Sequence, residues 1–487
     1  MALTWKVYFD WTTAGEFDTS RNDALNMTSY RVSRGRHQFI KENGEGLERV
    51  PPGYCQIKLD NSTGVYDPYN TSSVLYPKVE PGRYMTIKVE EGTYSWYRFT
   101  GCVESIETVG GASNPEVLIT AYDGLKYLQN TRVSTPVYRV IDGYGTGFAG
   151  IKSYTGIIDF ISTSANWPSI YGTSSLSSYE SAVILIPYFW ANEKPAYDAI
   201  ADVADSVIAL YGCKASGALF YRFRKDTTAA ISITQATMLK DIDLPMPYNQ
   251  RRNIAKVYAH GKVTPEATAV KLWRLNDVPR VSKDTGLTVW GRFRYDGRDV
   301  AGYDMVSPAD GTDFKMNTKA DGLGTDKTSL WNVTTTYFGE VSKNVITADG
   351  ATVDHYCTLL KNRGKPLDEQ ESTYEIFDYS GTAAKRYLII DNPYIQYPYG
   401  SNVGYFSPFD DYIQLQAAHT LKYPRFQIED HPSIQFAFDL FDPIDIDIAK
   451  YGINQTYLVG AIEEEWLTDN GQAVLTTVYT EPEDNLV

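Results

Sequence analysis

The sequence predicts a mainly β protein with an α/β portion, on three observations. The 487 residues include 38 Tyr beside only 7 Met, a composition suited to half-buried strand faces, where a ring with a polar tip sits between core and water. Residues 1–125 read as short strands cut by turns. Strand texture returns from 251 to the end, and the clearest helical period lies between the two regions.

In the first region, strands are expected at residues 5–11, 29–33, 55–59, 84–89, 96–106 and 116–122. Pro51-Pro52-Gly53, Asn61-Ser-Thr-Gly64, Pro81-Gly82 and Gly110-Gly111 mark the turns, at the spacing of a small barrel or sandwich. Met85, Ile87 and Val89 alternate with polar neighbours and give one apolar face. In 126–250, Pro195 opens a helix whose apolar residues Ile200, Val203, Ala204, Val207, Ile208 and Tyr211 recur at helical spacing, with Gly212 at the C-cap position. Cys213-Lys-Ala-Ser-Gly217 followed by 218–223 predicts a hairpin, and the serine-rich 171–181 a surface loop. From 251 on, strands are interrupted by a Gly- and Asp-rich stretch, 296–326, and a Tyr- and Pro-rich one, 387–408.

The hydrophobic fraction of 43% and charged fraction of 22% are those of a folded chain with ample core. A net charge of −15 gives no electrostatic basis for holding nucleic acid or an anionic membrane. The amino terminus has no basic region before an apolar stretch, and the longest apolar run, 182–191, is far short of a bilayer span. Cys55, Cys102, Cys213 and Cys357 form no C-x-x-C pair and read as small buried hydrophobes.

Catalytic, cofactor and metal patterns are not found. Gly145-Thr-Gly147-Phe-Ala-Gly150 matches G-x-G-x-x-G, but Trp167-Pro168 breaks the βαβ unit that a dinucleotide site requires. Asp439, Asp442, Asp445 and Asp447 form the densest carboxylate cluster, yet Asp445 and Asp447 alternate with isoleucines, as in a strand with one wet face. The five histidines form no H-x-x-x-H pair, and the Asp-rich 296–326 lacks the oxygen spacing of a calcium loop. The chain is therefore expected not to be an enzyme. Arg31, Arg34 and Arg36 lie together at a strand end and are expected to pair with carboxylates across a subunit contact.

An internal repeat links the two strand-rich regions. Phe99-Thr-Gly101-Cys-Val-Glu104 matches Leu458-Val-Gly460-Ala-Ile-Glu463, and Val117-Leu118-Ile-Thr120-Ala-Tyr122 matches Val474-Leu475-Thr-Thr477-Val-Tyr479. Upstream, Met85/Ile87/Val89 corresponds to Ile444/Ile446/Ile448. The same three-strand unit is expected twice.

Several segments resemble the tail hub proteins of long-tailed bacteriophages. They are Val32-Ser-Arg-Gly-Arg36, Gly53-Tyr-Cys-Gln-Ile-Lys-Leu-Asp-Asn61, Tyr66-Asp-Pro-Tyr-Asn70, Pro81-Gly-Arg83, Ala121-Tyr-Asp-Gly-Leu-Lys-Tyr-Leu128, Asn130-Thr-Arg-Val133, Ala196-Tyr-Asp-Ala-Ile-Ala-Asp-Val-Ala204, and the closing Tyr457-Leu-Val-Gly-Ala-Ile-Glu463 and Thr477-Val-Tyr-Thr-Glu-Pro482. The likeness thins out between 280 and 430. The resemblance implies two tube-like antiparallel β-barrels plus inserted domains. The expected division is a first barrel at 1–125, an α/β domain at 126–250, a second barrel from 251–289 and 426–487, and an inserted domain at 290–425. It also implies a homotrimeric hub in the virion tail tip, assembled in the bacterial cytoplasm. The hub would join a sixfold tube and its distal tail protein to a threefold central fibre or tip, contacting the tape measure protein and phage DNA in transit. Asp445, Asp447, Glu463 and Glu465, in a region with no Lys or Arg after Lys450, are the candidate channel-facing carboxylates. The alternative is a receptor- or carbohydrate-binding tail protein using Tyr- and Trp-rich loops as stacking platforms; a tail-associated glycan hydrolase ranks third.

Overall fold

The computed structural model describes residues 3–111, 114–139, 154–172, 175–176, 186, 188–222, 231–234, 242–245, 251–396, 407–417, 423–429, 431–466 and 473–482. Its dominant element is a 12-stranded sheet. The first half supplies β1 (Thr4–Phe9), β2 (Met27–Gly35), β3 (Tyr54–Asp60), β4 (Tyr84–Glu91), β5 (Tyr94–Val109) and β6 (Glu116–Tyr122). The second supplies β7 (Ile231–Thr234), β8 (Ile242–Asp243), β9 (Arg425–Ile428), β10 (Pro443–Ile448), β11 (Ile453–Trp466) and β12 (Val474–Pro482). Period-2 alternation forms these strands as expected: Cys55, Ile57 and Leu59 on β3, Met85, Ile87 and Val89 on β4, and Ile444, Ile446 and Ile448 on β10 are all buried.

The spatial order is β1-β4-β5-β6-β3-β2 in the first half and β7-β10-β11-β12-β9-β8 in the second, so each strand has its counterpart six places later. The sequence repeat falls on equivalent strands. Cys102 opposite Tyr122 and Val103 opposite Ala121 correspond to Ala461 opposite Tyr479 and Ile462 opposite Val478. One difference is direction, since β1 runs antiparallel to β4 whereas β7 runs parallel to β10.

Neither half closes into a barrel among the described residues. Closure would need β2 to reach β1, but the outer edge of β2 is taken by β11, with Arg31–Gly35 opposite Ala461–Glu465. The outer edge of β1 is occupied by the Asn22 side chain, which accepts from Val7 N (2.9 Å) and donates to the Trp5 carbonyl (3.0 Å). The two halves instead form one continuous sheet.

The second half draws its first two strands from 231–243, inside the expected α/β stretch, and not from 251–289. Within 251–289, Ile254–Ala259 pairs with Thr373–Asp378 and Tyr387–Asp391. Val270–Arg274 and Arg280–Val281 pair with the long strand His355–Glu369, and Leu287–Arg292 pairs with Val341–Ala348. The reason is partner supply: the 15-residue strand His355–Glu369 also pairs with Ala301–Val306 and Phe314–Asn317, and so gathers the neighbouring short strands.

Between the halves, α1 (Gly124–Asn130), α2 (Tyr154–Ser164) and α3 (Ala196–Asp205) pack into the core of the second half, where Leu125, Ile157, Ile161, Ile200 and Val203 join Ile444, Ile446 and Ile462. The helix expected to reach Tyr211 ends at Asp205. Ile208 turns the chain at a φ of 56°, and Leu210–Cys213 pairs with Leu219–Arg222 as the predicted hairpin, leaving Gly212 in a strand. Cys55, Cys213 and Cys357 are buried and Cys102 is half-buried, all as free thiols. Residues 145–150 and most of the serine-rich 171–181 lie outside the described residues.

Candidate functional site

The junction of the two halves carries a cluster of buried charge. On β2, alternation turns Tyr30, Val32 and Arg34 toward the core, and on β11 it turns Glu464 the same way. Arg98 arrives from β5. Arg98 and Glu464 have side chains only 1% and 0% exposed, and their ion pair is fully desolvated. Glu464 accepts from Arg98 Nη2, from Arg98 Nε at 3.2 Å and from the Tyr30 hydroxyl at 2.5 Å, while Arg98 Nη1 donates to the Phe436 carbonyl at 3.3 Å. Burial, and then the Glu464 carboxylate, push the Tyr30 hydroxyl well above its ordinary range, so it stays protonated as a donor.

Two further pairs cross the same junction. Arg36 binds Glu481 through Nε at 2.8 Å and Nη2 at 3.3 Å, with both side chains buried. Arg34 Nη1 binds Asp439 at 2.6 Å. Burial alone would raise Asp439, but Arg34, Lys214 and the Ala215 N–H outweigh it and hold the carboxyl at about 2. Nearby, Asp123 caps α1 and accepts from Gly53 N (2.9 Å) and Leu125 N (3.0 Å). There burial wins over those bonds and Arg34, and the carboxyl is raised to about 7. Arg34 and Arg36 thus pair with carboxylates as expected, but of their own chain. These partners stand some 400 residues away, where only the pairing of β2 with β11 brings them together.

The four candidate carboxylates all lie on the side of their strands opposite the core. Asp445 and Asp447 alternate with buried Ile444, Ile446 and Ile448; Asp447 is exposed, and half-buried Asp445 accepts from Thr456 Oγ1 at 2.5 Å. Glu463 and Glu465 flank buried Glu464. Glu463 lies 3.6 Å from His37 Nε2 and accepts from the Tyr479 hydroxyl at 3.2 Å, and Glu465 stands opposite Arg31 in the ladder. Glu464, Arg98 and Glu481 are the residues that the sequence reading missed, and Asp439 was read there only as a member of a carboxylate cluster. The one signal for Glu464 was its place in Glu463-Glu464-Glu465, where strand alternation must turn the middle carboxylate inward.

Among the described residues no group of three or more His, Cys, Asp or Glu could hold a metal ion, and no helix is long and apolar enough to cross a membrane.

No protein-family model matches the chain, and no curated protein matches it. Solved structures do. A tail protein from Neisseria meningitidis MC58 superposes with a TM-score of 0.51 at 7% identity, covering 99% of this chain and 97% of that one. The chain has a tail-protein fold. A 43 kDa tail protein of prophage MuSo2 from Shewanella oneidensis gives a TM-score of 0.49 at 9% identity, with 99% of each chain covered. The prophage tail protein gp18 from Listeria monocytogenes EGD-e gives 0.41 at 8%, covering 99% of this chain and 95% of that one.

Proposed function

We propose that the protein is a structural hub subunit of a bacteriophage tail tip, and not an enzyme. Three copies form a ring that joins the sixfold tail tube to a threefold central fibre or tip and lines the channel for genome ejection. The observation that carries this reading is the duplication: one six-strand order occurs twice in one chain, edge to edge in a single sheet. Three copies then present six equivalent units to a sixfold neighbour, and closed rotational symmetry is the usual outcome for such subunits. The distal tail protein above, the fibre or tip protein below and the tape measure protein are the partners of such a ring, and DNA passes through without stable binding.

Native mass measurement of the purified chain, with low-resolution imaging, tests the reading. The expected result is a ring of three copies. A chain that stays monomeric or dimeric at every concentration, and in assembled tails, would overturn it.

A second reading has one specific observation in its favour. Trp290 is 58% exposed on the strand Leu287–Arg292 and stacks on Phe338 at 5.9 Å, a surface of the type that carbohydrate-binding tail proteins use against sugar rings. Sugar binding lost on Trp290→Ala with the ring intact would add this role to the first.

A further inference from the structure

We propose that the ring closes through a backbone joint between β8 of one copy and residues 104–109 of β5 in the next, repeating between copies the β2·β11 joint found within each chain. The inference rests on the ring reading and names its contact.

The argument starts from β11. On one edge it pairs with β12; on the other it carries β10 along Ile453–Leu458 and then β2 along Ala461–Glu465. Its counterpart β5 pairs with β6 on one edge and with β4 on the other. The β4 side ends at Val103, which receives a bond from Gly82 N (2.8 Å) and gives one to the Arg83 carbonyl (2.6 Å). Beyond Val103, no strand among the described residues takes this edge. Glu104, Glu107 and Thr108 are exposed, and Ser105, Ile106 and Val109 half-buried. On β5 the counterparts of Ala461 and Ile462, Cys102 and Val103, are held by Tyr84, Gly82 and Arg83, whereas the places matching Glu463–Glu465, beyond Val103, are open.

The matching donor edge is also open. β2 and β8 occupy the same position in their halves, each last in its six-strand order. The outer edge of β2 is used by β11, whereas that of β8 takes no strand among the described residues. β1 cannot serve, because Asn22 fills its outer edge, and β7, the counterpart of β1, has no part in the joint within the chain. An unpaired strand edge is a template for another strand. A donor edge at one end of the sheet and an acceptor edge in the other half give a head-to-tail contact, which closes into a ring when the rotation closes.

The test uses the full chain. Adjacent strand residues point their N–H groups to opposite edges, so of Glu107→Pro and Thr108→Pro one removes an outward N–H and spares the β5·β6 ladder. Ile242→Pro and Asp243→Pro do the same for β8. From each pair the variant that keeps the wild-type melting temperature is used. Each blocked variant alone is expected to be monomeric. Mixed, they retain one working contact and should form a dimer of unlike copies and nothing larger. On the unmodified chain, amides of 104–109 should exchange at least roughly tenfold more slowly in the ring than in diluted monomer. Blocked variants that still form rings, or equal exchange in ring and monomer, would overturn the joint while leaving the ring reading intact. A wild-type chain monomeric throughout would overturn both.

Discussion

The buried pair at the junction makes a quantitative prediction. Glu464→Gln keeps the volume of the side chain but removes the charge that Arg98 was desolvated to meet. Arg98 is 1% exposed and among the described residues no other carboxylate binds it, so an unpaired buried guanidinium remains. Removing one partner of such a pair costs about 3–5 kcal/mol. Arg98→Met alone should cost a similar amount by stranding Glu464. The double variant Arg98→Met/Glu464→Leu removes both charges and should recover most of the loss, since apolar replacement of a whole buried pair is often neutral or better. It leaves the Tyr30 hydroxyl without its acceptor, worth about 1–3 kcal/mol, which Tyr30→Phe should return. The chain has several separate cores, so a single global unfolding free energy is not the right quantity. A local probe exists: Trp5 and Trp466 meet edge-to-face at 5.5 Å beside Tyr30, one from each half. Denaturant titration followed by tryptophan fluorescence, in a background where other tryptophans are replaced, reads the junction. A loss below about 1 kcal/mol for Glu464→Gln, or a double variant as unstable as the sum of the singles, would refute the reasoning.

Two further predictions follow from charge. Asp123 is raised by burial to about 7, above the unfolded value of about 3.9, so the folded state binds more protons between those values and stability falls as pH rises from about 4 to about 7. Asp123→Asn can keep the cap bond to Leu125 N but loses the acceptor for Gly53 N, a loss independent of pH; on top of it the decline in melting temperature should flatten, the variant improving relative to wild type by up to about 4 kcal/mol between pH 4 and pH 7; Asp205, also raised to about 7 by burial, leaves a residual slope. An unchanged slope would show that Asp123 is ionised in the fold. The acidic wet face gives the other: if Asp445, Asp447, Glu463 and Glu465 line the channel, changing all four to Lys should leave assembly normal and slow DNA ejection most at low salt, where added cations bind phosphate most strongly. Normal assembly with ejection unchanged across salt concentrations would place these residues outside the channel.

What the sequence disclosed follows a physical division. Period-2 alternation in Met85/Ile87/Val89 and Ile444/Ile446/Ile448 is a local property, and it identified one buried face on β4 and β10 without any knowledge of partners. The duplicated motif also survived, because a glycine and its neighbours in β5 and β11 recur with the same cross-strand partners. Strands defined by their partner were not legible. β8 pairs over two residues, and Ile242–Asp243 becomes a strand only because Phe426 and Arg425 lie beside it. The end of α3 was hidden for the same reason: the apolar period runs on through Val207 and Ile208, and the hairpin at Leu210–Cys213 overrides it. Arg98 and Glu464, 366 residues apart, carry no mutual trace in the sequence.

If the ring closes as proposed, the divergence between the two halves accounts for one joint being permanent and the other being made during assembly. Val32 stands opposite Cys55, itself opposite Ala121; Ile242 stands opposite Phe426, itself opposite Val478. Since Ala121 and Val478 are equivalent, Ile242 is the counterpart of Val32 and Leu244 that of Arg34. The first joint thus carries Arg34 and Arg36 against Asp439 and Glu481, whereas the described end of β8 offers Ile242, Asp243, Leu244 and Pro245 and no cation. Ion pairs this deeply buried break only at a cost of several kcal/mol, so the joint within the chain stays closed once folded. The proposed joint between copies would be held by backbone bonds, each worth about 1 kcal/mol net, with Glu104, Glu107 and Asp243 adding no attraction. Copies can then remain separate after synthesis and close when the ring supplies every contact at once, an order of events that an ionically locked second joint would prevent.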